Sequence, residues 1–290
     1  MTEPQLAGLA PRAALRAVRA QLEAAGVPDA GFDARELYRL AAGRDPRLDA
    51  APLPAAAAAR LAALTARRCA REPLQYIAGQ WDFLDFTLAV GPGVLCPRAD
   101  SEIVCETALE LLRAAARPDP AVLDLCAGTG CLGLGVKRFY PGARVTCVEN
   151  SPAALGYLYR NAAGALPGAA VDVCEADVLA AWRAWPAGSA DLILSNPPYL
   201  TAAEMAALQP ETAREPACAL DGGPDGLAFY RCLTGPWQRV LRPGGWLVLE
   251  IGCAQRQAVL ALGRQNGWVN AACRRDYGGN DRVIALQKPE

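Results

Sequence analysis

Histidine is missing from all 290 residues. That removes the commonest general base, every triad built on an imidazole and every His-ligated metal site, so no metal centre is expected. The eleven cysteines form no CxxC pair. Several of them (Cys126, Cys147, Cys174, Cys232) sit inside apolar runs and read as small buried hydrophobes in a reducing compartment. No stretch approaches the length of a membrane span. Residues 1–5 lack the basic-then-apolar pattern of a signal peptide, so a cytoplasmic location without a membrane partner is expected. Net charge is only −1, which argues against affinity drawn mainly from a phosphate backbone. There are no internal repeats and no long low-complexity tract.

What is present is an apolar fraction of 52%, ample for a core. The length suits one small and one large domain. Residues 1–75 are rich in Ala, Leu and Arg. Leu6, Leu9, Ala13, Leu15 and Val18 recur at helical steps up to Gly26, residues 32–40 form a second helix ending at Gly43, and residues 54–70 a third with Pro54 near its first turn. Over residues 1–72, 11 Arg stand against 8 Asp and Glu, which makes this segment +3. A helical bundle with solvated arginines is the expected reading, with docking of a protein substrate left open. Residues 76–97 read as a β-hairpin linker: 81–90 alternate, and Gly91-Pro-Gly93 turns the chain into Val94-Leu-Cys96. Pro97-Arg-Ala-Asp-Ser-Glu102 then opens a helix to about residue 116, capped by Asp100 or Ser101. Arg98, Asp100 and Glu102 either merely start that helix or line a cofactor pocket.

From Ala121 the period changes, and residues 98–290 form one domain. Strands are expected at 121–126, 144–148, 171–174, 191–195, 246–251, 268–273 and 282–286, with helices at 132–139 and 152–163. The alternation predicts an α/β fold with a doubly wound, mainly parallel sheet and ligands at its carboxyl edge. Asp124-Leu-Cys-Ala-Gly-Thr-Gly130 is a glycine loop between strand and helix. It lacks the Lys-Ser/Thr of a P-loop, so triphosphate hydrolysis is not expected; alone, it would also suit a dinucleotide fold. Glu149 at the next strand tip can accept from two ribose hydroxyls, and Asp177 at the third is placed to take an adenine amino group. Asp191-Leu-Ile-Leu-Ser-Asn-Pro-Pro-Tyr199 is an apolar strand that delivers Asn196, Pro197, Pro198 and Tyr199 to the same edge. Proline disfavours helix in the residue before it, so the loop is stiff and extended. It is either a turn that needed rigidity or a grip for an –NH2 group. In the second reading one hydrogen goes to the Asn196 side-chain oxygen and the other to a proline carbonyl.

With these residues in view, the chain resembles the class I methyltransferases that use S-adenosylmethionine, and within them the HemK-type release-factor glutamine methyltransferases. The resemblance runs over residues 71–79, 94–102, 122–133, 191–200, 215–227, 242–252 and 275–282. Glu149 stands where Asp is common, and Cys96 where an apolar aliphatic is usual. The resemblance implies a seven-stranded Rossmann-like sheet, and S-adenosyl-L-methionine held by Cys126, Ala127, Gly128, Thr129, Gly130, Glu149, Asp177, Val178 and Asn196. It also implies N5-methylation of the glutamine in the Gly-Gly-Gln motif of class 1 peptide chain release factors. Asn196, Pro197 and Tyr199 would be catalytic, and Asn196, Pro197, Pro198 and Tyr199 would bind substrate. A monomer that does not bind nucleic acid directly is expected. The alternative is an N6-adenine or other exocyclic-amine methyltransferase acting on nucleic acid, which would need the same grip, with Tyr199 stacked on a flipped base.

Overall fold

A computed structural model describes residues 6–168 and 170–290. The signal-peptide reading of residues 1–5 falls outside the described residues. Contacts divide the chain into two units: one runs to Gln80 and includes Gln209–Arg214, the other comprises Trp81–Leu208 and Glu215–Glu290.

The first unit is helical: α1 (Pro11–Ala24), α2 (Ala30–Ala42), α3 (Ala55–Cys69) and the short α4 (Leu74–Ala78). Leu6 is buried but precedes α1, which begins at Pro11 and buries Ala14, Val18 and Leu22. Proline is at home in a first helical turn, where its missing N–H has no partner to lose. That is why the helix starts later than the Leu6–Leu9 spacing suggests. Gly43 ends α2 in a left-handed conformation (φ 67). Between α2 and α3 lies a buried ion pair, Arg68 Nε to Asp33 Oδ2 at 2.6 Å, with both side chains 7% exposed. Glu211 joins it, 2.8 Å from Arg68 and bound by Arg71 through two 2.7 Å bonds. Burial pushes the Asp33 carboxyl up, while Arg71 and Arg68 hold Glu211 down at about 2 in spite of its own burial.

A hairpin follows, β1 (Gln80–Phe83) and β2 (Phe86–Ala89). Its turn is Leu84-Asp85, not the glycine pair expected from the sequence. Leu84 takes a positive φ of 54 that no turn-forming residue advertises. The buried faces of Phe83, Phe86 and Leu88 set this register. Gly91 and Gly93 serve close approach instead: a Cβ on Gly91 would lie 2.4 Å from the Tyr157 hydroxyl, and one on Gly93 2.7 Å from Ala153.

After α5 (Glu102–Ala115) come β3 (Ala121–Leu125), α6 (Cys131–Phe139), β4 (Arg144–Glu149), α7 (Pro152–Gly164), β5 (Asp172–Glu175), α8 (Val178–Ala181) and β6 (Ala190–Ser195). α9 (Ala202–Ala206), α10 (Ala228–Thr234), β7 (Leu241–Glu250), α11 (Arg256–Gln265), β8 (Val269–Arg275) and β9 (Asp281–Gln287) complete the chain. Seven strands form one sheet in the order β5-β4-β3-β6-β7-β9-β8, parallel from β5 to β7, with β9 antiparallel to both of its neighbours. Successive side chains on a strand face opposite ways. Val122, Leu192, Leu194 and Val248 therefore pack with α5, α6, α7 and the hairpin. Leu123, Leu125, Ile193, Leu247 and Leu249 pack with Tyr230, Trp237 and Val259 on the other face. Strand order reverses at β3, so the crevice for a ligand opens beyond the carboxyl ends of β3, β4 and β6.

The buried ion pair gives a stability prediction. Arg68→Ala strands the buried Asp33 carboxylate, while Arg71 still holds Glu211, and lowers the unfolding free energy at neutral pH by about 3–5 kcal/mol. Chemical denaturation of the full chain measures it, and a loss below about 1 kcal/mol would mean that the pair behaves like an exposed one.

Candidate active site

The crevice is a cavity of about 250 Å³ lined by residues from all three strand tips. On its wall lie Cys126, Ala127, Gly128, Thr129, Glu149, Asp177, Val178, Asn196 and Pro198. Gly130, Pro197 and Tyr199 are not on the wall. Gly130 is the residue before α6, with φ 81, and a Cβ there would lie 2.7 Å from Leu158. Pro197 is buried within the loop, and Tyr199 is half-buried beyond it.

The glycine turn is fastened from several sides. The Asp124 Oδ2 accepts from Gly133 N at 2.8 Å across the turn. Asn161 Nδ2 donates to the Thr129 carbonyl at 2.9 Å and to Ala89 of β2 at 3.1 Å. Cys126 takes a positive φ of 60, uncommon for a residue with a side chain and found where a site holds strain. Asp124 is fully buried, its Oδ1 has no hydrogen-bond partner among the described residues, and burial pushes its carboxyl up to about 7.

Glu149 is buried at the tip of β4 and bonded to backbone. Its Oε2 accepts from Gly128 N at 2.9 Å, and its Oε1 from Asn150 N at 2.9 Å and Ser151 N at 2.8 Å. A carboxylate offers about four acceptor positions, so the side chain keeps acceptor capacity beyond these three bonds. Asp177 is exposed and accepts from Leu179 N at 2.9 Å as the cap of α8. Of Arg98, Asp100 and Glu102, only Arg98 lines the cavity, and it pairs with the buried Glu215, whose Oε2 accepts from Cys96 N at 2.9 Å. Asp100 meets Arg282 at 3.3 Å, and Glu102 accepts from Leu84 N at 2.9 Å in the hairpin turn.

β6 ends beside β3 in register, Ser195 opposite Leu125, and the Ser195 hydroxyl donates to the Leu125 carbonyl at 2.5 Å. Asn196 follows, with its Nδ2 donating to Ser101 Oγ at 3.2 Å. Ser101 does not cap α5 with its side chain, as the sequence suggested. Its hydroxyl donates instead to Glu250 Oε2 at 2.5 Å. The Tyr199 carbonyl accepts from Gln255 Nε2 at 2.9 Å, and burial beside Glu250 pushes its hydroxyl up to about 12. The 215–226 segment is ordered against this loop: Leu200 N donates to Leu220 O at 2.8 Å and Gly222 N to Leu200 O at 2.9 Å.

Family models match both parts of the chain: "PrmC N-terminal domain" over residues 13–79 and "Methyltransferase small domain" over residues 91–215. The release factor glutamine methyltransferase of Cereibacter sphaeroides is 40% identical over 281 residues, covering 95% of this chain and 98% of that protein. This chain belongs to the release factor glutamine methyltransferase family. The Geobacter sulfurreducens member is 42% identical over 224 residues, 76% of this chain and 75% of its own. A solved structure of the release factor-specific protein-(glutamine-N5) methyltransferase from Alicyclobacillus acidocaldarius is 28% identical, covers 69% of this chain and 99% of its own, and has a TM-score of 0.43. The doubly wound sheet, with its antiparallel β9 set between β7 and β8, is the class I methyltransferase fold.

Sequence reasoning passed over Ser101, Glu215, Glu250 and Gln255. Ser101 read as a helix cap and Glu250 as one residue of the 246–251 strand; only the folded sheet brings them, 149 positions apart, into one hydrogen bond.

A carboxyl held neutral by burial contributes stability that is present below its ordinary pKa and lost as pH rises through the raised value. For Asp124 that window runs from about pH 4 to about 7. Asp124→Asn therefore shows a flatter fall of unfolding free energy over this range than the wild type, measured by denaturant titration at stepped pH. Parallel curves would assign the titration elsewhere.

Proposed function

We propose that this enzyme transfers a methyl group from S-adenosyl-L-methionine to the side-chain amide nitrogen of the glutamine in the Gly-Gly-Gln motif of class 1 peptide chain release factors. The observation that carries the reading is the placement of Asn196 and Pro198 on the wall of the cavity that also holds the glycine turn, Glu149 and Asp177.

The residues present suit the cofactor. Gly128 puts bare backbone on the wall, Glu149 keeps acceptor capacity for a ribose hydroxyl, Asp177 is open to an amino group, and Leu132, Ala154, Val178 and Phe229 make apolar walls. Cys126, Ala127, Thr129 and Gly130 shape the turn around it. When bound, the cofactor supplies an electrophilic methyl on a sulfonium whose leaving group is a neutral thioether.

An amide nitrogen is a poor nucleophile because its lone pair is delocalised into the carbonyl. In this reading Asn196 Oδ1 and the Pro197 carbonyl accept its two hydrogens and hold the amide plane still. The same acceptors stabilise positive charge that builds on nitrogen. Pro197 and Pro198 keep the loop from drifting, and the half-buried Tyr199 offers a face for the glutamine side chain. No base is needed before transfer, because the proton leaves afterwards, which agrees with a chain that has no histidine. The helical first unit serves as a docking module for the release factor, residues 76–97 as the linker, and the enzyme acts as a cytoplasmic monomer on protein rather than nucleic acid. No helix among the described residues is long and apolar enough to cross a membrane.

Incubation with cofactor and release factor, followed by mass spectrometry, is expected to place one methyl on the Gly-Gly-Gln glutamine. Asn196→Ala lowers the rate by about 10²–10³-fold, as does loss of one preorganised group facing developing charge. Label entering DNA or RNA but not release factor would overturn the reading.

A further inference from the structure

We propose that Ser101 and Glu250 are positioning residues that determine which end of the Asn196 amide faces the substrate. The inference rests on the reading of Asn196 as an acceptor and concerns how that acceptor is aimed.

The oxygen and nitrogen of a carboxamide are nearly alike in shape, so only its partners decide which way it points. Here the partners leave one choice. Glu250 lies at the end of β7 and is 2% exposed. An ionised carboxylate can only accept, so the 2.5 Å contact between Glu250 Oε2 and Ser101 Oγ uses the serine's single proton. Ser101 can then meet Asn196 only as an acceptor, and it takes the Asn196 Nδ2 hydrogen at 3.2 Å. The amide nitrogen is committed to the protein and Oδ1 is the end left for a ligand. Reversed, the side chain would turn an N–H toward the substrate's own –NH2, and two donors would face each other.

The β7 end is itself held in place. The Tyr230 hydroxyl donates to the Glu250 carbonyl at 2.8 Å, and Arg282 Nη1 donates to the Ile251 carbonyl at 3.2 Å. Among the charged and titratable groups around Glu250, Arg282 on β9 and Arg98 before α5 favour its ionised form, Asp100 opposes it, and Tyr199, Tyr230 and Cys131 sense its charge. Burial pushes the Glu250 carboxyl up to about 7. Below that pH a protonated Glu250 donates to Ser101, the serine proton is free to turn to Asn196 Oδ1, and the amide loses its imposed direction. The relay therefore loosens on acidification, through uptake of one proton from solvent at Glu250.

The test is steady-state kinetics on a Gly-Gly-Gln peptide across pH for wild type, Ser101→Ala, Ser101→Thr, Glu250→Gln and Asn196→Ala, with calorimetric cofactor binding and a thermal melt for each. Ser101→Ala and Glu250→Gln are expected to lower kcat by about 10- to 100-fold, the range of a hydrogen bond to a charged group, with cofactor affinity unchanged. Ser101→Thr restores activity because it keeps the hydroxyl. The wild-type rate falls below about pH 7, and that limb is absent from Glu250→Gln. A Ser101→Ala enzyme with wild-type kcat beside an inactive Asn196→Ala would overturn the relay while sparing the acceptor reading; an active Asn196→Ala would overturn both. A Ser101→Thr enzyme no better than Ser101→Ala, an acid limb that persists in Glu250→Gln, or cofactor binding lost together with kcat would also overturn it.

Discussion

The structure depends on the parallel pairing of β3 with β6. That register sets Leu125 opposite Ser195, and the buried Ser195 hydroxyl ties the two strand ends together at the Leu125 carbonyl. Beyond β3 the chain turns through Cys126 to Gly130; beyond β6 it enters Asn196 to Tyr199. A slip of one residue would turn every apolar side chain of β6 to the wrong face. Burial of Leu192 and Leu194 on one face and of Ile193 on the other therefore fixes the site as well as the core.

The chemistry on the cavity wall is drawn from backbone groups, a carboxamide and carboxylates, with no imidazole to draw on. The turn offers backbone, the loop offers a carboxamide and carbonyls, and Glu149 is held by three backbone N–H bonds. Asp124 and Glu250 are the buried acids pushed up to about 7, and each sits behind the wall, one under the glycine turn and one behind Ser101. Alignment takes the place of acid–base catalysis in such an arrangement.

The alternation of strand and helix, the glycine turn, both strand-tip acids and the Asn-Pro-Pro-Tyr loop were legible in the sequence, because each rests on local pattern. Less legible were features decided at a distance. The hairpin turns at Leu84, where packing of Phe83 and Phe86 imposes a positive φ on a leucine. β7 begins at Leu241, ahead of the start at 246 expected from the sequence, and runs through the Pro-Gly-Gly stretch. Ser101 looks like a helix cap until β7 brings Glu250 to it, and Glu215 looks like ordinary loop until it meets Arg98 and Cys96 from 117 and 119 positions away. Short-range pattern names the parts of the site; long-range pairing supplies the groups that aim them.

The most direct measurement is a crystal structure with the demethylated cofactor product and a Gly-Gly-Gln peptide. The account predicts the glutamine nitrogen about 3 Å from both Asn196 Oδ1 and the Pro197 carbonyl, at the edge where β3 and β6 end. A glutamine bound away from that edge, or an Asn196 presenting its nitrogen to the peptide, would contradict it.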